Sequence, residues 1–137
     1  MPTLEIGQRA TLTRAFSEAD VRFFAELSGD CNPVHLDPVY AAETRFGERI
    51  VHGILVSSLL SALLGHHLPG DGAIYLGQEL NFKAPVYLDM PVTASVEITA
   101  IRTDKPIVTL ETRCVDAETD RLLISGEARM YVPWLQA

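Results

Sequence analysis

A carboxyl and an imidazole lie within the short segment "GDCNPVH", residues 29 to 35. Asp30 and His35 are five positions apart, a spacing that would place their side chains on different sides of an ideal helix. Asn32 before Pro33 favours a turn, because proline disfavours a helical conformation at the preceding residue and asparagine can bond its own backbone. We therefore predict a loop that directs Asp30 and His35 into one cavity.

When a carboxyl and an imidazole lie close to the same water molecule, one can act as the acid and the other as the base. This requires that burial moves their pKa values toward neutrality. The competing interpretation is structural: Asp30 caps the turn and His35 fills a polar gap. For an arbitrary pair of these residues in a loop, the structural interpretation would be favoured. The spacing alone leaves both open.

Gly53, in "VHGIL", is predicted to begin a helix of nearly continuous apolar residues. The first backbone N–H groups of a helix have no internal partner, and with the helix dipole they favour an oxygen on which negative charge develops. Glycine would permit close approach of that oxygen. Relief of crowding at a buried helix start explains the glycine equally well.

The surrounding elements predict an α+β fold in one domain spanning residues 1–137. Ser17 and Gly29 are expected to bound a first helix, and Asp37 to cap a second, short one. The apolar run 50–64 predicts a helix buried on all sides and too short to span a membrane. Period-two segments then predict about five strands, including an antiparallel meander over the last three, with Val92, Ala94, Val96, Ile98 and Ala100 on one face of the first of these.

The composition excludes some partners. The chain has 137 residues and a net charge of -7, which argues against binding to nucleic acid or an anionic membrane. No signal peptide is recognised at the amino terminus, so a cytoplasmic location is expected. Cys31 and Cys114 are expected to be unpaired, with Cys114 packing as a small hydrophobe on a strand.

The segment "SGDCNPVHLDPVYA", followed by "VHGILVSSLLSALL", resembles the MaoC-like (R)-specific enoyl-CoA hydratases. Their signature has the form G-D-x-N-P-x-H-x-D/E-P-x-x-A, and the match is complete, with Cys31 at the variable position. Similarity extends through "IYLGQELNFKAPVYLDMPVTASVEI" and "GEARM", so it covers nearly the whole chain.

The resemblance implies a hot-dog fold, in which a curved antiparallel sheet wraps around a long helix, and a homodimer. It implies addition of water to a trans-2-enoyl-CoA to give an (R)-3-hydroxyacyl-CoA, within fatty acid metabolism and often for polyhydroxyalkanoate biosynthesis. Asp30 and His35 would be the catalytic pair, the backbone N–H of Gly53 would hold the thioester oxygen, and Asn32 and Ser61 would support them. A hydroxyl bonded to its own helix backbone is the alternative for Ser61.

The implied mechanism is a syn addition in which His35 takes a proton from water while Asp30 protonates C2, with the assignment of acid and base left open. No cofactor or metal is expected: coenzyme A is part of the substrate, and no recognisable metal-binding spacing links His35, His52, His66 and His67. Cys31 as a nucleophile is a weaker alternative than a variable motif position.

The coenzyme A phosphates require basic residues, and three are candidates of equal standing: Lys83, Arg102 and Lys105. Leu60 and Leu64 are expected to line the acyl pocket and to favour short to medium chains. The alternatives are a hot-dog acyl-CoA thioesterase, an acyl-carrier-protein dehydratase and a non-catalytic acyl-CoA-binding subunit.

Overall fold

A computed structural model describes residues 3–135 of the chain. In chain order the elements are β1 (Arg9–Arg14), α1 (Glu18–Ser28), α2 (Pro33–Leu36), α3 (Pro38–Ala42), α4 (Gly53–His66), β2 (Ile74–Gln78), β3 (Asn81–Phe82), β4 (Val92–Ile101), β5 (Ile107–Asp116) and β6 (Leu122–Tyr131). The sheet order is β1-β4-β5-β6-β2, with β3 also pairing with β6, and every pair is antiparallel. The predicted meander is therefore present as β4-β5-β6.

Helix α4 packs on one face of this curved sheet. Its buried side chains include Leu59, Leu60 and Leu63, and they join a core to which β4 and β5 contribute Val96 and Leu110 among others. The α+β hot-dog arrangement predicted above is confirmed. The packing of this side of α4 against the sheet positions the amino-terminal end of the helix, which begins at Gly53.

The far side of α4 is exposed, so the prediction of a helix buried on all sides is wrong for the single chain. Ile54 retains 57% of its accessible surface, and Ser58 and Ser61 are also exposed. A run of apolar residues shows that a helix avoids water but not what covers each face. Here the sheet covers only one side.

Strand β4 departs from its predicted alternation near its end. Val92, Ala94, Val96 and Ile98 are buried as expected, whereas Ala100 is exposed. The register between β4 and β5 shifts between Ile98 and Ala100, and an extra residue in one strand moves the following side chains to the other face. The segment predicted as one strand after residue 72 is likewise divided, into β2 and the two-residue β3.

The predicted caps Ser17, Gly29 and Asp37 are confirmed, although the helix that Asp37 begins is short and ends at Ala42. Ser17 caps α1 through a capping box with Asp20, and Gly29 ends it in the left-handed conformation with φ 82°. Asp37 caps α3 by accepting from the N–H groups of Val39 and Tyr40. Among residues 3–135, no helix is long and apolar enough to cross a membrane.

Candidate active site

The segment between α1 and α3 forms one helical turn, which corrects the prediction of a loop. Asn32 caps α2, its side-chain oxygen accepting from the N–H of Val34 at 3.1 Å, and Pro33 takes the first helical position. Proline is tolerated there because that N–H has no helical partner. Asn32 thus starts a short helix instead of preventing one, and His35 projects from it.

The imidazole of His35 is oriented by the backbone that precedes α4. Its Nδ1–H donates to the carbonyl of Ile50 at 2.8 Å, and since a carbonyl can only accept, the neutral ring keeps its lone pair on Nε2. His35 is only 8% exposed. Burial lowers the pKa of His35, as does the neighbouring His52, while the bond to Ile50 opposes the change. The Nε2 atom is therefore equipped to accept a proton.

Asp30 directly follows the last turn of α1 and its left-handed Gly29. Its Oδ1 accepts from the N–H of Asn32 at 3.3 Å, so the turn-capping role considered above is present in this conformation. The same carboxyl lies near the two histidines: one ligand atom each of Asp30, His35 and His52 falls within 4.8 Å of the others. The structure thus brings the predicted pair together and leaves Oδ2 of Asp30 without a hydrogen bond to residues 3–135.

Gly53 is the first residue of α4, and no side chain caps this helix start. A Cβ atom at Gly53 would lie 2.6 Å from the Phe82 ring of β3, closer than carbon atoms can pack. Both explanations for the glycine remain physically sound, since Phe82 leaves no room for a side chain and the helix start offers N–H donors to an oxygen.

These groups line a shared cavity of about 360 Å³. Asp30, His35, His52 and Gly53 lie on it, and its apolar wall includes Val56, Phe82, Val86 and Ile124. Leu60 and Leu64, predicted to line the acyl pocket, do not border this cavity and are fully buried in the core. Sequence reasoning missed Val56 and Ile124, and no local pattern distinguishes them from other core residues.

Two basic side chains, Arg45 and Lys83, also line the cavity. Neither forms an ion pair within the described residues, and Arg45 lies over the ring of Phe46 at 4.8 Å. Arg102, another candidate for phosphate binding, instead holds Asp104 through two bonds of 2.9 and 2.5 Å. Arg45 was not among the residues predicted to contact coenzyme A. The available signal was a basic residue ten positions after His35 of the motif.

Ser61 lies outside this cavity. It is exposed in a groove between α4 and β2 that also includes Ser57 and Ser58. Those two hydroxyls bond back to helix carbonyls, whereas the Ser61 hydroxyl has no hydrogen bond among residues 3–135. Ile54 borders both the groove and the cavity, so the two adjoin.

The thiols differ in their surroundings. Cys114 is buried on β5, as predicted, and burial raises the pKa of its thiol to about 12. Cys31 is exposed, its Sγ lying 3.7 Å from the carbonyl of Ala25, and it does not border the cavity. This geometry does not favour Cys31 as a nucleophile.

The three clustered ligand atoms are poorly arranged for a metal ion. The rings of His35 and His52 are stacked, with centroids 3.9 Å apart and planes inclined by 29°. The nitrogen lone pairs lie in the ring planes, and planes so nearly parallel do not converge on an ion about 2.0–2.1 Å from each nitrogen. This geometry does not favour coordination of one metal ion by both imidazoles.

Comparison with known proteins places the chain in a family. The family model described as MaoC like domain matches residues 3–119. An (R)-specific enoyl-CoA hydratase of Aeromonas caviae is 53% identical over 131 residues, covering 96% of this chain and 97% of that protein. A solved structure of an (R)-hydratase from A. caviae involved in PHA biosynthesis superposes with a TM-score of 0.93 over 97% of this chain and all of that one. R-Hydratase PhaJ1 from Pseudomonas aeruginosa gives 0.88 at 43% identity, over 94% of this chain and 82% of that one. With its fold, its motif and these similarities, the chain belongs to the MaoC-like domain family.

Proposed function

We propose that this protein is an (R)-specific enoyl-CoA hydratase, a hydro-lyase that adds water to trans-2-enoyl-CoA to give (R)-3-hydroxyacyl-CoA. The observation that carries the proposal is the placement of the Asp30 carboxyl and the His35 ring side by side, next to the open start of α4 on an apolar cavity. The similarity to proteins named (R)-specific enoyl-CoA hydratase supports it.

In the proposed reaction, Nε2 of His35 removes a proton from water while the water oxygen bonds to C3. Asp30 delivers a proton to C2 on the same side, so the C2–C3 double bond becomes single and both hydrogens are accounted for. The Gly53 N–H stabilises the negative charge on the thioester oxygen in between. A proton then passes from His35 to Asp30 through solvent, which restores both groups.

Loss of absorbance from crotonyl-CoA tests this function directly, with chiral analysis of the 3-hydroxybutyryl-CoA formed. We expect turnover to the (R) product. Release of free thiol without hydration would indicate the thioesterase, and turnover only of the enoyl chain on acyl carrier protein would indicate the dehydratase. Binding without either reaction would indicate the non-catalytic subunit.

Arg45 and Lys83 are proposed to contact the phosphates of coenzyme A, because they are the basic residues that border the cavity. Replacing both by glutamine should raise KM for crotonyl-CoA about thirtyfold or more, since each of the two lost charge-assisted contacts is worth roughly 1 kcal/mol or more. KM for crotonyl-pantetheine, which lacks the nucleotide, should not change. Arg102→Gln and Lys105→Gln serve as controls, and an equal rise in KM for both substrates would contradict the assignment.

The acyl chain is proposed to be short to medium in length. The support is the modest cavity, whose apolar wall includes Val56 and Ile124. Leu60 and Leu64 would contact the acyl chain only if the core beside α4 opens. Turnover rising steadily up to a twelve-carbon chain would contradict this preference.

A homodimer is part of the proposal. The groove between α4 and β2 exposes Ile54, Tyr75 and Leu76 by 57%, 40% and 46%, and β2 ends one edge of the sheet. An apolar edge of this kind is suited to a second copy. Sedimentation should give twice the 15.1 kDa chain mass, and Leu76→Glu should shift it toward the monomer. Ile6→Glu, at another exposed apolar position, should leave the dimer intact.

A cytoplasmic location and a role in polyhydroxyalkanoate biosynthesis complete the proposal. The free thiols of Cys31 and Cys114 are consistent with a reducing compartment. The pathway is proposed because the similar (R)-hydratase from A. caviae is described as involved in PHA biosynthesis.

A further inference from the structure

A buried histidine that the proposed reaction does not use lies directly beside the candidate catalytic pair. His52 is 2% exposed and occupies the position before Gly53, at the start of α4. Its Nε2–H donates to the backbone carbonyl of Asp30 at 2.9 Å. Its ring stacks on His35 and packs against the Phe24 ring in a T-shaped arrangement, with the two centroids 4.8 Å apart.

The groups required for hydration come from three separate segments. Asp30 follows α1, His35 projects from α2 and Gly53 begins α4. His52 contacts all three: it is bonded to the Asp30 backbone, stacked on the His35 ring and covalently joined to Gly53. No other hydrogen bond to the Asp30 carbonyl is found within residues 3–135.

A simple filling role for His52 is physically unfavourable. Its Nδ1 is buried without a hydrogen-bond partner among the described residues, and leaving a polar atom in that state costs free energy. A phenyl ring would fill the same space and stack on His35 without this cost. What phenylalanine lacks is the N–H that holds Asp30.

We propose that His52 is a positioning residue, which holds the Asp30 backbone and the His35 ring in register with the first N–H groups of α4. This inference rests on the hydratase function proposed above. Small displacements matter in such a site, because misplacing a reacting group by about 1 Å can cost about 10²-fold in rate.

Two substitutions separate the hydrogen bond from the ring. His52→Phe keeps the stacked ring and removes the donor, whereas His52→Gln keeps an N–H donor and removes the ring. His67→Phe, an exposed histidine at the other end of α4, controls for the change of residue type. The measurements are kcat, KM, thermal unfolding and the pH profile of kcat/KM, all with crotonyl-CoA.

For His52→Phe we expect kcat to fall about 10–100-fold, with KM changed less than threefold. His52→Gln should retain at least ten times the kcat of the Phe variant. The acid limb of kcat/KM should move to higher pH in both variants, because His52 contributes to the lowered pKa of His35. The other charged groups that face this ring pair are Asp30 and, on the same cavity, Arg45 and Lys83.

Equal kcat values in the Phe variant and the wild type, with an unmoved acid limb, would overturn the inference. If the Phe variant does not fold, the test rests on the Gln variant. A kcat within tenfold of wild type, with the acid limb of kcat/KM moved to higher pH, would support the positioning role. A larger fall in kcat would overturn it. Absence of wild-type turnover would refute the proposed hydratase function itself, so the two failures are distinguishable.

Discussion

Replacing His35 by alanine is expected to lower kcat/KM for crotonyl-CoA by about 10²–10⁴-fold, the usual contribution of a general acid or base. The Nδ1–H of His35 is fixed on Ile50, which leaves Nε2 as the basic atom, and burial lowers its pKa. A base acts in its unprotonated form. Wild-type activity should therefore persist as the pH falls below the ordinary histidine value of about 6.5, and decline only below the lowered pKa.

The matching Asp30→Asn variant tests the other member of the pair. We expect a loss within the same range, since the amide can accept a hydrogen bond but cannot deliver the proton to C2. If His35 is the base as proposed, the acid limb of the pH profile disappears in His35→Ala. His67→Ala, on the exposed end of α4, controls for the loss of an imidazole. Near-wild-type activity in either variant would remove that residue from the mechanism.

Replacing Gly53 by alanine is expected to lower kcat by about 10²-fold, at the lower end of the effect of losing one donor to a developing oxyanion. The added methyl group would meet the Phe82 ring at 2.6 Å and 2.8 Å. Either the ring moves into the cavity or the helix start is displaced, and both interfere with an oxygen that approaches the Gly53 N–H. Steady-state kinetics on short enoyl-CoA substrates would measure this loss.

Two further variants identify its cause. Gly65→Ala lies in the same helix, where a Cβ meets no atom within 4 Å, and it should leave kcat unchanged. Phe82→Ala combined with Gly53→Ala removes the clash and should recover part of the lost rate relative to Gly53→Ala alone. An unaltered kcat in Gly53→Ala would contradict close approach of the thioester oxygen to this helix start.

The local structure around the candidate catalytic pair was largely predictable from the sequence. Ser17, Gly29 and Asp37 bound their helices as predicted, because capping depends on side chains that bond neighbouring backbone groups. Alternation over β4, β5 and β6 predicted the meander for the same local reason. The proximity of Asp30 and His35 was also anticipated, although a helical turn and not a loop produces it.

Residue patterns alone were thus enough to predict the main helices and strands, the caps and the segment that carries the candidate chemistry, because all of these depend on interactions between near neighbours in the chain. The folded structure was needed to show that His52 stacks on His35, that Phe82 covers Gly53 and that Arg45 and Lys83 share their cavity. It was also needed to show that Leu60 and Leu64 enter the core while one side of α4 stays exposed. These outcomes depend on contacts between segments distant in sequence, and no residue pattern specifies which apolar face meets which partner.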